Sequence, residues 1–515
     1  MIAVIDFGSQ YTQLIAKKLR KLGYLATVLP STTDSKILAN LEKTQGLKGV
    51  VLSGSPASVS EGNTPDPEIM NLGLPILGIC YGYQFLAQHF GGAVGSGARR
   101  EYGATRIQVV PSAANDPLLK GLNPEFRVWM SHGDHVEKIP PSAKALLTSQ
   151  GHAVGFAMPD RKLWALQFHP EVHHSEFGTE LLENFATIAA GGRHDWDLKT
   201  ALKTLEDKLR ADLKGVDQVL CAVSGGVDST VLAVLLAKVT KVEAVMVDHG
   251  FLRSYDVADL RRSFAKFPNI NLTVIDATNE CWAELEGIND PEEKRKTIGR
   301  LFIETFDRHV KAHWNQSAKV CFAQGTIYSD VIESADNNKA SAHKIKSHHN
   351  VGGLPDRLPF RLIEPLREFF KDEVREIGRL MGLDSIEVDR HPFPGPGLLI
   401  RCLAPLNREN IATLQHCDRI FHEELIRRNL YTKTWQAGAI LLPVSTVGVM
   451  GDGRTYEKVL ALRAVSSLDA MTAEATEFPL TDLKEIASRI VNEVKGVNRV
   501  VYDLTSKPPA TIEWE

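Results

Sequence analysis

Residues 74–84 read LPILGICYGYQ, an apolar run that breaks into small residues around a single cysteine. A short apolar run bounded by a tight turn reads as a buried strand, and YQFLAQHFGG (83–92) supplies the helix that follows. A strand ending in a small-residue turn that opens a helix is the nucleophile-elbow arrangement. Gly78 and Gly82 leave room around Cys80, and the first amides of the helix favour a thiolate and can hold an oxyanion. A buried structural cysteine is the other reading, since a free thiol is commonly core. The glycine flanks and the strand-end position favour the reactive one.

Outward from this point, IAVI (2–5), GVVL (49–52), PILGI (75–79) and LWALQF (163–168) read as further strands. Tyr11, Ile15, Leu19 and Leu22 recur at helical spacing, with Lys17, Lys18, Arg20 and Lys21 on the other face. Strands alternating with helices predict a mainly parallel α/β domain. The segments 63–67 and 91–103 read as loops by their Gly and Pro content. The pattern breaks at AAGGRHDWD (189–197), which places a first domain at 1–192. After a helical stretch at 195–213, alternation resumes with strands near 217–223, 242–247, 270–275 and 318–323, a second α/β domain spanning 193–390. From RHPFPGPG (390–397) prolines cluster. A helix over 407–429 and several strand-like runs then predict a third, α+β domain over 391–515.

A chain of 515 residues exceeds one hydrophobic core, and 43% hydrophobic with 24% charged residues is an ordinary globular composition. A net charge of −4 argues against a nucleic-acid or membrane partner, so small molecules become the expected ligands. The six cysteines (80, 221, 281, 321, 402, 417) form no CxxC pair, so neither a zinc site nor a disulfide framework is indicated, and a reducing cytoplasm is expected. The opening MIAVIDFG does not read as a secretory leader, and with no run of 18 apolar residues no membrane span is expected.

A thiolate nucleophile needs a base. His169 stands just beyond the strand at 163–168, and Glu171 follows two residues later, on the same side of an extended segment. That is the nucleophile, base and orienter logic of a triad. With GICYGYQ and QFHPEV on the page, residues 1–190 resemble the class I glutamine amidotransferases. The resemblance implies that Cys80 attacks the glutamine side-chain amide, that His169 shuttles the proton and that Glu171 positions His169. It also implies that Gly54 in LSGSP (52–56) helps form an oxyanion hole, although Ser55 stands where many members carry a second glycine. Tyr81, Gln84 and the WMSHGD segment with Ser131, His132 and Gly133 are implied as the glutamine-binding wall.

A second stretch, SGGVDST (224–230), follows the apolar run Val219–Val223 and precedes VLAVLLAKV. Backbone amides at such a helix start can cradle an anion. It lacks the lysine of a Walker A loop, and a plain β–α turn is the alternative. The whole string resembles the PP-loop of ATP pyrophosphatases, which cleave ATP between the α and β phosphates. That resemblance implies ATP contacts from Ser224, Gly225, Gly226, Val227, Asp228, Ser229 and Thr230, and an accompanying Mg2+ with Asp228 as its carboxylate. It places adenine near Val247 in MVDHG (246–250), where His249 replaces a more usual Asn, and assigns Lys346 in IKSHHN (345–350) to a phosphate, with an ordinary surface lysine as the alternative.

An ammonia-producing domain joined to an AMP-forming one suggests amination of an adenylated carbonyl. The order of the parts, with GINDPEEKRKTIGRLFIE (287–304), HPFPGPGL (391–398) and TSKPPATIEWE (505–515), resembles the family of glutamine-hydrolysing GMP synthases over the whole chain. The resemblance implies XMP as substrate, with Arg295, Arg401 and Lys507 expected as cationic partners of its phosphate and Gln436 and Glu513 as purine or ribose contacts, a homodimer formed through the third domain, and no prosthetic group. A tRNA-directed PP-loop enzyme would leave the first domain unused, an inactive binding protein would not need an intact Cys80, His169 and Glu171, and an NAD-synthetase-like enzyme has a different glutaminase. Uncoupled glutamine hydrolysis would waste substrate, so coupling between the two sites is expected.

Overall fold

The computed structural model describes residues 1–59, 64–314, 319–331, 360–450, 453–467 and 472–515, the side chains of 96–100 and 450 excepted. Two compact units are present, Met1–Ala201 and one that begins at Leu202. The first unit runs past the double glycine at 191–192 because the following stretch is tied to it. Asp195 accepts from the Met1 amino group at 2.7 Å and from Leu25 N at 2.6 Å, and Arg20 lies 4.5 Å over the Trp196 ring.

The first unit holds a nine-stranded sheet. Its strands are β1 (Ile2–Asp6), β2 (Ala26–Pro30), β3 (Gly49–Leu52), β4 (Ile76–Ile79), β5 (Ala93–Val109), β6 (Glu125–Lys138), β7 (Lys144–Ser149), β8 (His152–Met158) and β9 (Leu163–Leu166). The order is β2-β1-β3-β4-β9-β8-β7-β5-β6, parallel as far as β9 and antiparallel beyond it. β3, β4 and β9 are buried at every residue, as expected of parallel strands covered on both faces. The expected loop at 91–103 is instead the first half of β5. Its glycines mark irregularities within a strand: an added Cβ on Gly95 would meet Glu137 Oε1 at 2.2 Å, Gly103 has φ +107°, and the register with β6 shifts between Ser96 and Glu101. In the other expected loop, Pro67 opens a short 3-10 helix, Pro67–Asn71, capped by Asp66.

The second unit contains the parallel sheet β12-β11-β10-β13-β14, from β10 (Gln218–Ala222), β11 (Val242–Asp248), β12 (Ile270–Asp276), β13 (Val320–Ala323) and β14 (Arg361–Ile363). A smaller sheet joins β15 (Gln436–Met450), β16 (Gly453–Ser466), β17 (Glu474–Ala475) and β18 (Val497–Tyr502). Residues on both sides of 390 share one core, with Phe251, Phe306 and Phe322 joined to Leu398, Leu414 and Phe421. Among the described residues no helix is long and apolar enough to cross a membrane.

Three backbone segments meet where β3 and β4 end. An added Cβ on Gly78 would lie 2.6 Å from Gly82 O, and one on Gly82 would lie 2.5 Å from Leu52 O. Helix Tyr81–His89 can therefore sit on β3 and β4 only if both positions are glycine. Gly82→Ala is expected to destabilise the first unit by about 1–3 kcal/mol, the usual cost of overpacking, which urea unfolding will measure.

Candidate active sites

Cys80 follows β4 directly, with φ 52° and ψ −98°, a region that residues with a Cβ rarely adopt. The turn is held by Cys80 N donating to Leu166 O at 2.8 Å and by Gln84 N donating to Cys80 O at 3.1 Å. Such a conformation costs on the order of 1–3 kcal/mol and persists only where neighbours impose it. The thiol lies 3.7 Å from Ser131 O and 3.9 Å from Gln167 Nε2.

His169 and Glu171 are both buried, and His169 Nδ1 donates to Glu171 Oε1 at 2.6 Å. That bond leaves Nε2 as the ring nitrogen able to serve the thiol. The ring is fixed further: His169 N donates to Trp129 O at 3.1 Å, Ser175 Oγ donates to His169 O at 2.6 Å, and Tyr11 packs edge-on at 5.0 Å. Burial opposes the charged imidazole, but the Glu171 carboxylate and Cys80 outweigh it and hold the His169 pKa well above its ordinary value. Gly54 closes the other side, since a Cβ there would come within 3.2 Å of His169 Cε1 and of Ser9 Oγ.

The expected glutamine wall divides by geometry. Ser131 offers its carbonyl to Cys80, and Gly133 lies beside Tyr102, whose hydroxyl would be 3.9 Å from an added Cβ. The Tyr81 ring instead lies in the core against Phe7, at 5.4 Å, so its main chain is what faces the turn. Gln84 Nε2 donates to Asp134 O at 2.9 Å, and His132 Nδ1 bonds the same carbonyl at 2.8 Å. Tyr11, Ser9 and Gln167 are site residues that the sequence reading passed over. The first two follow the end of β1, where an apolar strand gives way to Gly8 and Ser9, the same signal that marks Cys80.

In the second unit, β10 leads into Ser224–Ser229 and the helix Val227–Ala237, with Gly226 at its N-cap. Gly225 takes φ +74°. The loop braces itself: Ser224 Oγ accepts from Gly226 N at 3.3 Å, while Ser229 Oγ accepts from Ser224 N at 3.3 Å and donates to Gly226 O at 3.1 Å. Val227 and Thr230 are buried behind it. Asp228, in the helix's first turn, accepts from Lys371 Nζ through Oδ2 at 3.3 Å, while its Oδ1 is buried with no hydrogen-bond partner. Val247 is buried near the end of β11, and burial presses the neighbouring His249 down to about 4, so it stays neutral. Lys346 lies outside the described residues.

Arg401, Gln436 and Glu513 come together. Arg401 donates to both Glu513 oxygens, at 3.0 and 2.7 Å, and Gln436 Nε2 donates to Glu513 Oε1 at 2.5 Å. Gly438 makes room for the guanidinium. Arg401 is thus a carboxylate's partner rather than an open cation. A buried chain of charges runs from it: Arg401 Nη1 lies 3.6 Å from Asp418, Asp418 accepts from Arg253 at 3.0 Å, Arg253 N donates to Asp256 at 3.0 Å, and Asp256 pairs with Arg390, which donates to Gly225 O at 2.8 Å. The loop at Ser224–Ser229 and Glu513 are therefore ends of one network. Arg295 instead donates to the Glu515 main-chain oxygen, with Lys294 on the Glu515 side chain at 2.9 Å, and Lys507 joins Ala473 through the main chain.

Residues 3–189 match the family described as glutamine amidotransferase class-I, and residues 423–514 match the GMP synthase C terminal domain. Over its whole length the chain is 47% identical to the GMP synthase [glutamine-hydrolyzing] of Nitrobacter hamburgensis, covering 96% of that protein. It is 46% identical to that of Thermosipho africanus and 48% to that of Campylobacter hominis, covering all of this chain and 99% of each relative. The chain belongs to the glutamine-hydrolysing GMP synthases. The class I amidotransferase fold of the first unit and the GMP synthase C-terminal domain of the second follow from that membership.

In this member of the GMP synthase family the two candidate sites differ in how charge is held. Replacing Glu171 by Gln removes the attraction that offsets burial, so the His169 pKa is expected to fall. In histidine-resolved NMR titrations the imidazolium is expected to persist above the ordinary histidine range in the parent and to be lost at lower pH in the variant. Asp418→Ala leaves Arg253 and Arg401 buried without their shared counter-ion. A loss of about 3–5 kcal/mol is expected for such an uncompensated charge, measurable as an earlier urea transition of the second unit.

Proposed function

We propose that the chain hydrolyses glutamine at Cys80 and uses the ammonia to aminate XMP that has been adenylated in the second unit. GMP synthesis and the ligase class are those of the family. The observation that carries the assignment of residues is the His169–Glu171 pair at 2.6 Å behind a cysteine held at positive φ. In the first half-reaction, Cys80 Sγ attacks the amide carbon of glutamine and His169 gives a proton to the departing nitrogen. Ammonia leaves and an acyl-enzyme remains, and a water deprotonated by His169 then releases glutamate. Glu171 is a positioning residue that holds the tautomer. Gly54 and the Tyr81 main chain face the oxygen that becomes negative, while Ser131, Gly133 and the His132–Gln84 layer shape the glutamine side.

In the second half-reaction the C2 oxygen of XMP attacks the α-phosphorus of ATP and pyrophosphate leaves. Ammonia then adds at C2 and AMP departs, a far better leaving group than hydroxide. The loop Ser224–Thr230 is suited to the phosphates by its helix start and its own hydroxyls, and Val247 borders the adenine side. Mg2+ fits here: Asp228 has a buried oxygen without a partner at the phosphate loop, and this ion is usually held by one or two carboxylates together with substrate phosphates. Bound there, it would neutralise phosphate charge. Gln436 and Glu513 serve the purine or ribose of XMP, Arg401 holds Glu513 rather than a phosphate, and Arg295 and Lys507 lie toward the phosphate of XMP and Lys346 toward that of ATP.

A three-part division at 192 and 390 remains our reading, with the last part pairing two copies of the chain. Val447, Val449 and Tyr456 support the pairing, because they are exposed on the hairpin β15–β16 and Val447 lies directly opposite Tyr456. The acidic net charge and six unpaired cysteines suit a cytoplasmic protein without a nucleic-acid partner. Val449→Glu together with Tyr456→Glu is expected to halve the mass seen by sedimentation. Cys80→Ala is expected to make GMP from XMP, ATP, Mg2+ and ammonium but not from glutamine. Activity with glutamine would remove Cys80 from the reaction.

A further inference from the structure

A small pocket opens behind the glutaminase site, lined by Glu101, His132, His135, His152, Ala153 and Gln167. Its interior volume of about 30 Å³ holds one or two molecules of water's size, since about 10–15 Å³ suffices for one. Gln167 forms the wall shared with the nucleophile: its Nε2 lies 3.9 Å from Cys80 Sγ, and its Oε1 lies 3.4 Å from Gln84 Nε2.

The lining asks for a ligand that donates hydrogen bonds. His132 is 7% exposed, and its Nδ1 lies 2.8 Å from Asp134 O, a carbonyl that can only accept. The proton is therefore on Nδ1, and Nε2 presents a lone pair. That nitrogen is buried and has no hydrogen-bond partner, with Glu101 Oε2 too distant at 3.8 Å. His135 Nδ1 is likewise buried without a partner. Burial lowers the His132 pKa, which keeps the ring neutral and accepting. An acceptor nitrogen beside a carboxylate suits a small species with several N–H donors and either no charge or a positive one.

We propose that this pocket receives the ammonia or ammonium released at Cys80, with His132 Nε2 and Glu101 as its acceptors. The proposal rests on the reading that glutamine is hydrolysed at Cys80. It gives His132 a second task and makes Gln167, which meets the thiol and lines the pocket, the partition between the reacting sulfur and the departing nitrogen.

The test uses the full-length chain and its Glu101→Leu and Glu101→Gln variants with XMP, ATP and Mg2+. Glutamate and GMP are measured in the same reaction with glutamine, and GMP alone is measured with ammonium chloride. In the parent, the glutamate to GMP ratio gives the share of nitrogen that is used. In the variants this ratio is expected to rise at least about threefold while glutamate release and ammonium-driven GMP synthesis persist, a change well within the loss of one hydrogen bond to a charged group. An unchanged ratio in both variants overturns the proposal. So does a fall in glutamate and GMP together, because that is what a purely structural role for Glu101 would give. If Glu101→Leu is misfolded by circular dichroism, the Gln variant decides. Failure of the underlying reading is recognised separately, as a parent that makes GMP from ammonium but releases no glutamate.

Discussion

The close approach of the backbone at Gly78, Gly82 and Leu52 is the constraint on which the first unit's chemistry depends. Because no Cβ intervenes, the helix after β4 begins immediately above the strand ends, and Cys80 is left at the apex with a backbone that its own side chain disfavours. Everything else in that site is arranged around a sulfur that cannot move far. His169 is anchored through its ring, its amide and its carbonyl, so the imidazole has little freedom to move. The cost of strain is met by the sheet, whose β3, β4 and β9 are buried throughout.

The second unit solves a different problem. It buries several like charges near one another, and it does so by pairing each arginine with an internal carboxylate. Buried ion pairs bring little net stability, since desolvation offsets most of their attraction. What the chain Arg390–Asp256–Arg253–Asp418–Arg401–Glu513 provides is registry. The carbonyl of Gly225 and the carboxylate of Glu513 are fixed relative to one another by residues that each have two partners, Arg253 through its amide on Asp256 and its guanidinium on Asp418. The stacking of Arg253 over Phe393 at 4.2 Å adds a further restraint on the same chain.

Much of this was legible in the sequence because strand ends in parallel sheets leave a strong mark. Apolar runs that stop at Gly and Ser located Cys80 and Ser224–Ser229, and the two-residue step from His169 to Glu171 already implied their contact. The antiparallel half of the first sheet was not legible. β6 alternates buried and exposed residues over a length that includes His, Asp and Glu, and β5 carries three glycines, so pairing between the two strands overrides local preference. Sequence reasoning brought Arg401 and Glu513 into the same site but could not foresee that they neutralise each other, because that contact joins residues far apart in the chain. Gln167 was in view within QFHPEV, yet nothing local distinguishes an amide that touches a thiol from one that does not.

All six cysteines are unpaired and buried. Burial pushes the thiols of Cys221 and Cys417 up to about 12 and those of Cys281 and Cys402 up to about 11, and it raises Cys321 as well. Only Cys80 stands at a helix start beside an imidazole. Toward an alkylating reagent a chain with six thiols is therefore expected to present itself as a chain with one. The same contrast makes the label a report on folding, since every other thiol becomes reactive once the core opens.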